Sequence, residues 1–302
     1  MDLAVKILYL LALLGVGFGA RRAGVLTAER ADALTTFAFY VALPALVFDS
    51  TAATPLEDVL SVEMVAAFLV VLLGVAGIGW LVHRRIPTRA ARSVAIVQSY
   101  HTNFGFLGLP IVAMTLGSAA TAKAGILLGI GALIQIPMTV VLLTSMNDAE
   151  ASLRDELAGV ARNPVIAALL LGLGFAAFGV PVPGPASTAL GWVSTLALPA
   201  ALLSVGASLT LSLDGVDVPT VGSVVALKVL LMPLLGLAAL SLLTSDIATV
   251  QAGSVMLAMP TAVSTFIYAN ELGGDARLAS TNVFVTTVCS LGVVFVILRL
   301  LV

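Results

Sequence analysis

The chain has 302 residues, of which 60% are hydrophobic and only 10% are charged. A soluble protein carries about 25% charged residues, so lipid must be the solvent for much of this surface. The formal net charge of −2 gives no sign of a nucleic-acid partner. The single cysteine excludes an internal disulfide, and with two histidines it does not make a zinc site. We expect a multi-pass membrane protein without a metal or cofactor.

Ten apolar runs of about 17 to 25 residues, the length that crosses a bilayer as a helix, occur along the chain. Predicted helices 1 to 5 cover about 3–20, 32–51, 62–83, 93–116 and 120–145. Predicted helices 6 to 10 cover about 159–180, 187–210, 219–243, 248–270 and 277–300. Charged or proline-rich segments such as 181–185 separate them. The fold class is therefore an all-α membrane protein.

The two halves of the sequence contain similar segments in the same order. Residues 13–20, LLGVGFGA, match 170–177, LLGLGFAA, at six of eight positions and at an offset of 157. The segment ALPA at 42–45 returns at 197–200, an offset of 155. The pair Leu-Gly at 116 returns at 272, an offset of 156. Three matches at nearly one offset favour a duplicated unit, as in many carriers, over chance similarity among apolar segments.

The predicted repeats are 1–145 and 158–302, with five helices each and a short cytoplasmic linker at 146–157. An odd number of crossings inverts the second repeat relative to the first. Arginines set the orientation, because cytoplasmic loops are enriched in them. The loops after predicted helices 1, 3, 5, 7 and 9 carry ten: Arg21, Arg22, Arg30, Arg84, Arg85, Arg89, Arg92, Arg154, Arg162 and Arg277. The other face carries Lys6, Lys123 and Arg299, so both termini are expected outside the plasma membrane.

Predicted helix 4 contains the most polar stretch of any span, QSYHTNFGFLGLP at 98–110. Shifted by 156, residues 103–110 fall on MPTAVSTF at 259–266 in predicted helix 9. Proline removes a backbone donor and glycine loosens a helix, so both helices should break at the same depth. Two facing breaks make a crossed pair whose half-helix N-termini point at one centre, which suits a carboxylate. The alternative is that the prolines only kink ordinary helices.

The candidate substrate-binding residues lie at these two breaks: Asn103, His101, Gly105, Pro110, Pro260, Thr261, Ser264 and Thr265. Asn103 is the first choice, because its amide can both donate and accept a hydrogen bond. The sequence leaves two roles open for His101, a proton-linked group or a packed neutral side chain.

Lys228 lies in the middle of predicted helix 8. A charge there costs roughly 2.5–3.5 kcal/mol on insertion scales, so it should face protein or water. Lys228 has two candidate roles, positive charge near a substrate anion or structural pairing, and we favour the second. Pro44 and Pro199 occupy equivalent places in predicted helices 2 and 7 and are interpreted as a symmetric structural kink.

Four segments together resemble the auxin efflux carrier family, which includes the plant PIN proteins and bacterial and archaeal relatives. They are YVALPALVF at 40–48, NFGFLGLP at 103–110, LPAAL at 198–202 with Val205-Gly206, and PTA at 260–262. The resemblance implies ten helices in a 5+5 inverted repeat, with crossed broken helices 4 and 9 and both termini outside, a fold like those of the bile acid symporters and of NhaA. It also implies export of small organic anions.

The resemblance further implies a scaffold of helices 1, 2, 6 and 7, a transport core of helices 3–5 and 8–10 that moves like an elevator, and a homodimer. Asn103, Pro110 and Pro260 match the family's crossover motif. The long cytoplasmic loop of the plant proteins between helices 5 and 6 is absent here. Thr261 stands where an asparagine would directly follow the proline, which argues against auxin itself as the substrate.

The leading hypothesis is a secondary carrier that exports a small organic anion, a carboxylate that is auxin-like or a dicarboxylate. An interior negative by 100 mV favours outward movement of one negative charge by about 2.3 kcal/mol, so the carrier needs no coupled ion. The alternatives are a sodium- or proton-coupled symporter of the bile acid transporter fold and a membrane ligand sensor. No acidic cluster near 98–110 or 259–266 offers a sodium cage. No span holds a catalytic constellation, so we do not expect an enzyme.

Overall fold

The computed structural model describes residues 3–210 and 217–301, which form helices and no strand. Seven helical segments in this part of the chain are long and apolar enough to cross a membrane. They are Leu3–Arg22, Ala28–Ala52, Leu56–His83, Ser118–Asn147, Gly184–Ser208, Val218–Leu243 and Ala276–Leu301. An eighth crossing results if the pair Leu153–Ala161 and Pro164–Phe178, bent by 47°, is one span. The prediction of a multi-pass, all-helical membrane protein is confirmed.

The first half ends with α8, the longest helix among the described residues. Its helices are α1 (Leu3–Arg22), α2 (Ala28–Phe37), α3 (Leu43–Ala52), α4 (Leu56–Val59), α5 (Val62–His83), α6 (Arg89–Tyr100), α7 (Leu109–Leu116) and α8 (Ser118–Asn147). A π-helical turn, Ala38–Ala42, joins α2 to α3, and a second, Phe104–Gly108, leads into α7.

The described residues of the second half form nine α-helices. They are α9 (Leu153–Ala161), α10 (Pro164–Phe178), α11 (Gly184–Thr195), α12 (Ala197–Ser208), α13 (Val218–Val225), α14 (Met232–Leu243), α15 (Ile247–Leu257), α16 (Ser264–Glu271) and α17 (Ala276–Leu301). A third π-helical turn, Ala226–Leu231, joins α13 to α14.

Predicted helices 1, 2, 3, 5, 7, 8 and 10 fall on the seven long segments, and predicted helix 6 falls on the bent pair. Predicted helices 4 and 9 each fall on two short helices with a break between them. A helix of 12 residues such as α6 spans about 18 Å, less than a hydrocarbon core of about 30 Å. Neither half of a broken pair therefore crosses the membrane alone. The predicted linker also contains the start of α9, which begins at Leu153.

Each π-helical turn ends one residue before a helix whose second residue is proline: Pro44, Pro110 and Pro233. Proline has no N–H, and its ring clashes with the carbonyl of the preceding turn. Widening that turn by one residue relieves the clash. Pro199 has a different setting, because it lies near the start of α12, just after the short break at Leu196. The two equivalent prolines therefore interrupt their spans by different means.

Glycines set the closest helix packing. Gly17 of α1 lies against the backbone of Leu203 in α12, and Gly206 of α12 lies against the backbone of Leu14. Gly172 of α10 lies against the backbone carbonyl of Phe48 and the side chain of Thr51 in α3. Small residues let helices approach in lipid, where van der Waals contact supplies the attraction. Close packing at glycine therefore joins α1 to α12 and α3 to α10.

Replacing Gly17 with leucine should reduce the free energy of unfolding by about 3 kcal/mol, because the added side chain has no space beside the Leu203 backbone. The matched control is Gly15→Leu on the same helix, where no atom lies within 4 Å of an added Cβ. The melting temperatures of the two variants in detergent should differ clearly. Equal melting temperatures would show that this crossing is not tightly packed.

Candidate functional site

The two breaks meet in the interior of the helix bundle. The N–H of Asn103 donates to the carbonyl of Pro260 at 2.9 Å, and the N–H of Ala262 donates to the carbonyl of His101 at 3.1 Å. Thr102 and Thr261 form an antiparallel bridge between them. Buried backbone groups need partners in a lipid environment, and each break supplies one backbone acceptor to the other. We call residues 101–103 and 260–262 the paired break.

Gln135 of α8 completes this arrangement. Its Oε1 accepts a hydrogen bond from the N–H of Thr102 at 2.6 Å, and its side chain is 2% exposed. Gln135 is not among the functional residues predicted from the sequence. The available signal was an amide within the apolar run 120–145, since polar residues inside a membrane span are rarely without a role.

A cavity of about 350 Å³ opens beside the paired break. Its lining comes from the two breaks, α2, α8, α10, α12 and the first π-helical turn. The polar residues that line it are Thr35, His101, Thr102, Asn103, Gln135, Asn163, Ser204, Ser208 and Ser264. Apolar side chains such as Phe39 and Leu128 complete the lining. No described Asp, Glu, Lys or Arg lines this cavity, so any ligand meets amides, hydroxyls and an apolar surface.

Asn103 is one of the polar residues that line the cavity. Its Oδ1 accepts from the N–H of Phe106 at 3.2 Å and so caps the π-helical turn that follows. Its Nδ2 donates to no other described residue, although the side chain is only 5% exposed. A buried amide with a free donor beside a cavity can bind an acceptor group of a ligand.

Two helical segments begin at the cavity. The π-helical turn Phe104–Gly108 starts after Asn103, and α16 starts at Ser264. The N–H groups of Gly105 and Ser264 are hydrogen-bonded to no other described group. Free N–H groups in the first turn carry partial positive charge and favour anions. Each break therefore contributes one such helix start to the same cavity.

The structure places four of the eight predicted residues on the cavity wall: His101, Asn103, Gly105 and Ser264. The other four lie outside the wall and shape it. Pro110 sets the π-helical turn, and the carbonyl of Pro260 accepts from Asn103. Thr261 is fully buried, with no partner for its hydroxyl among the described residues. Thr265 accepts from Gln98 at 2.8 Å and donates to the carbonyl of Ala262 at 2.6 Å.

His101 is packed against α8 and lines the cavity. Its Nδ1 is 2.8 Å from the hydroxyl of Thr139, which also lies 3.1 Å from the hydroxyl of Tyr100. The imidazole is 4% exposed. This contact fixes the orientation of the ring, and both predicted roles for His101 are compatible with it.

Lys228 contacts the paired break at Thr102, does not line the cavity and is fully buried. Its Nζ donates to Oγ1 of Thr102 at 2.6 Å and is 2.9 Å from Sδ of Met232. The sequence favoured a structural pairing for Lys228. The partner that the structure shows is a hydroxyl, and no described carboxylate forms an ion pair with Lys228. The sequence could not show this contact, because Thr102 is 126 residues away along the chain.

These features define a multi-pass membrane protein with a ligand-sized cavity at the junction of two broken helices. The chain matches the family described as membrane transport protein over residues 3–159 and 151–298. It therefore belongs to that family, which includes the auxin efflux carriers, and the resemblance seen in the sequence is confirmed.

Two relatives match nearly the whole chain. One, named "Uncharacterized transporter", comes from Methanothermobacter thermautotrophicus and is 27% identical over 94% of both chains. The other, named "Putative malonate transporter", comes from Rhizobium meliloti and is 25% identical over 94% of this chain and 93% of its own. The names of the family and of both relatives indicate a membrane transporter and not an enzyme.

Proposed function

We propose that the protein is a secondary carrier that exports a small organic anion through the cavity at the paired break. The observation that carries this proposal is the convergence of three free donors on one cavity, namely Asn103 Nδ2 and the N–H groups of Gly105 and Ser264. Donors without described acceptors suit a carboxylate. The relative named as a malonate transporter supports a carboxylate substrate, including a dicarboxylate.

The proposed fold counts each broken pair as one crossing and so has ten helices in a 5+5 inverted repeat. The repeats are 1–145 and 158–302, joined by 146–157. The packing supports this arrangement, because α1 packs on α12 and α10 packs on α3. Helix 1 of the first repeat thus contacts helix 7 of the second. Helix 6, the counterpart of helix 1 in the second repeat, contacts helix 2, the counterpart of helix 7.

The proposed mechanism is an elevator. Helices 1, 2, 6 and 7 form the scaffold, and helices 3–5 and 8–10 form the core that carries the substrate. The position of the cavity supports this division, because residues of helices 2, 6 and 7 line it together with residues of helices 4, 5 and 9. A sliding interface that contains the substrate site lets one rigid group move against the other. We further propose that the carrier forms a homodimer.

The proposed orientation places both termini outside the plasma membrane. At one end of the bundle Arg89 pairs with Asp148 at 2.9 Å, and Asn147 donates to the carbonyl of Leu272 at 3.0 Å. At the other end Lys123 pairs with Asp246 at 3.0 Å. The arginine-rich end is assigned to the cytoplasm by the positive-inside rule.

The Asp246 carboxylate lies at the proposed outer end. Partial burial acts to raise its pKa, but hydrogen bonds from Thr249 and Lys123 outweigh this and lower the pKa below its usual value. Asp246 therefore stays ionised at neutral pH and keeps its ion pair with Lys123. The contribution of this pair is lost only as the pH falls through that lowered pKa.

The test is efflux of radiolabelled acids from proteoliposomes that contain the purified protein. Malonate, acetate and indole-3-acetate should be compared at zero potential and with an interior-negative potential, each with and without sodium. We expect at least one acid to leave faster with the potential applied and equally fast in both salts. A sodium requirement would establish the symporter alternative, and binding without flux would establish the sensor.

The cavity also predicts a labelling pattern. In a Cys289→Ser background, Ser208→Cys on the cavity wall should react with a water-soluble maleimide, and bound substrate should slow this reaction at least tenfold. Ser187→Cys, an exposed position in α11 that does not line the cavity, is the control and should react equally fast with and without substrate. Equal slowing at both positions, or at neither, would contradict a substrate site in this cavity.

A further inference from the structure

We propose that Lys228 is the fixed countercharge of the bound carboxylate and makes the site select anions over uncharged ligands of the same shape. This inference rests on the proposed function and adds a specificity-determining residue to it. Lys228 does not line the cavity. It contacts Thr102, which does line it, and acts on the ligand across that residue.

The first support is the environment of the ammonium group. Lys228 is fully buried, and its described partners are the Thr102 hydroxyl at 2.6 Å and the Met232 thioether at 2.9 Å. Neither partner carries charge. A buried cation without a counterion is strongly destabilising, and a nearby anion offsets much of that cost. No described carboxylate forms an ion pair with Lys228, so a carboxylate bound in the adjacent cavity would favour the protonated form of this lysine.

The second support is the geometry of Thr102. Its hydroxyl donates to the carbonyl of Tyr100 at 3.0 Å, so it receives the Lys228 ammonium as an acceptor. Thr102 itself lines the cavity, between His101 and Asn103. One hydroxyl group therefore separates the ammonium from the cavity. Its field reaches a bound carboxylate with little screening, because the intervening atoms are buried protein and not water.

The third support is the charge balance around the paired break. Lys228 is the one Asp, Glu, Lys or Arg side chain that hydrogen-bonds to residues 101–103 or 260–262 among those described. The helix starts and the Asn103 amide add only partial charges. One full positive charge on Lys228 balances the charge of one bound carboxylate group. An uncharged ligand gains no such attraction from Lys228.

The experiment measures binding of malonate, acetate and indole-3-acetate, each beside its uncharged amide, to the purified full-length protein in detergent. Lys228→Met keeps the length of the side chain and removes its charge. We expect it to weaken carboxylate binding by about a hundredfold and to leave amide binding within about twofold. Lys6→Met, which removes a lysine that donates to the carbonyl of Met114 outside the cavity, should change neither.

Three other outcomes also decide the test. If Lys228→Met does not fold, Lys228→Gln replaces it in the same comparison, and amide binding as tight as carboxylate binding by the wild type overturns the proposal. If Lys228→Met binds carboxylates unchanged while Asn103→Asp does not, the role of Lys228 is wrong and the proposed site stands. If no carboxylate binds, or if both variants bind them unchanged, the proposed function fails together with this inference.

Discussion

Replacing Asn103 with aspartate should abolish transport while the protein still folds. The substitution is nearly isosteric, and its carboxylate can still accept from the N–H of Phe106, so the cap of the π-helical turn is retained. It removes the free donor and places a negative charge where the substrate carboxylate is proposed to bind. Two like charges about 4 Å apart repel by about 4 kcal/mol at an effective dielectric constant of about 20, which is nearly a thousandfold in affinity.

The measurement is efflux from proteoliposomes together with binding to the purified protein. Asn270→Asp is the matched control, because it makes the same chemical change at an exposed position of α16 that does not line the cavity. The control should transport at nearly the wild-type rate. An Asn103→Asp variant that transports equally well would remove Asn103 from the site.

Replacing Gln135 with leucine should destabilise the paired break. Leucine has a similar size but no acceptor, so the N–H of Thr102 loses its 2.6 Å hydrogen bond inside the bundle. An unpaired buried donor costs about 1–3 kcal/mol, and the melting temperature in detergent should fall accordingly. Transport should fall as well, because Thr102 also positions Lys228 and lines the cavity.

Gln135→Glu separates the two effects. Its carboxylate can still accept from Thr102, so the fold should be retained, but its charge faces an anion site. We expect a smaller fall in the melting temperature than with leucine and a large loss of carboxylate binding. If leucine is tolerated as well as glutamate in the melting experiment, Gln135 does not support the break.

The sequence determined where the helices break, because proline and glycine act on the backbone locally. The stretch 98–110 and its counterpart at 259–266 contain the prolines and glycines that predict both interruptions. Run length and hydropathy likewise located the seven long helices, since a bilayer imposes the same minimum length on every span. Several predicted boundaries differ from the observed ones by a few residues, because a capping group such as Asn163 decides where a helix begins.

The tertiary structure alone decided which groups satisfy the breaks. Gln135, Thr102 and Lys228 are separated by up to 126 residues, and no local pattern states that they touch. The sequence likewise could not separate Thr265, which bonds to Gln98, from Ser264, which lines the cavity, although they are neighbours in the chain. Proline and glycine fix local backbone geometry wherever they occur, whereas the partner of a buried polar group depends on which helices pack against it.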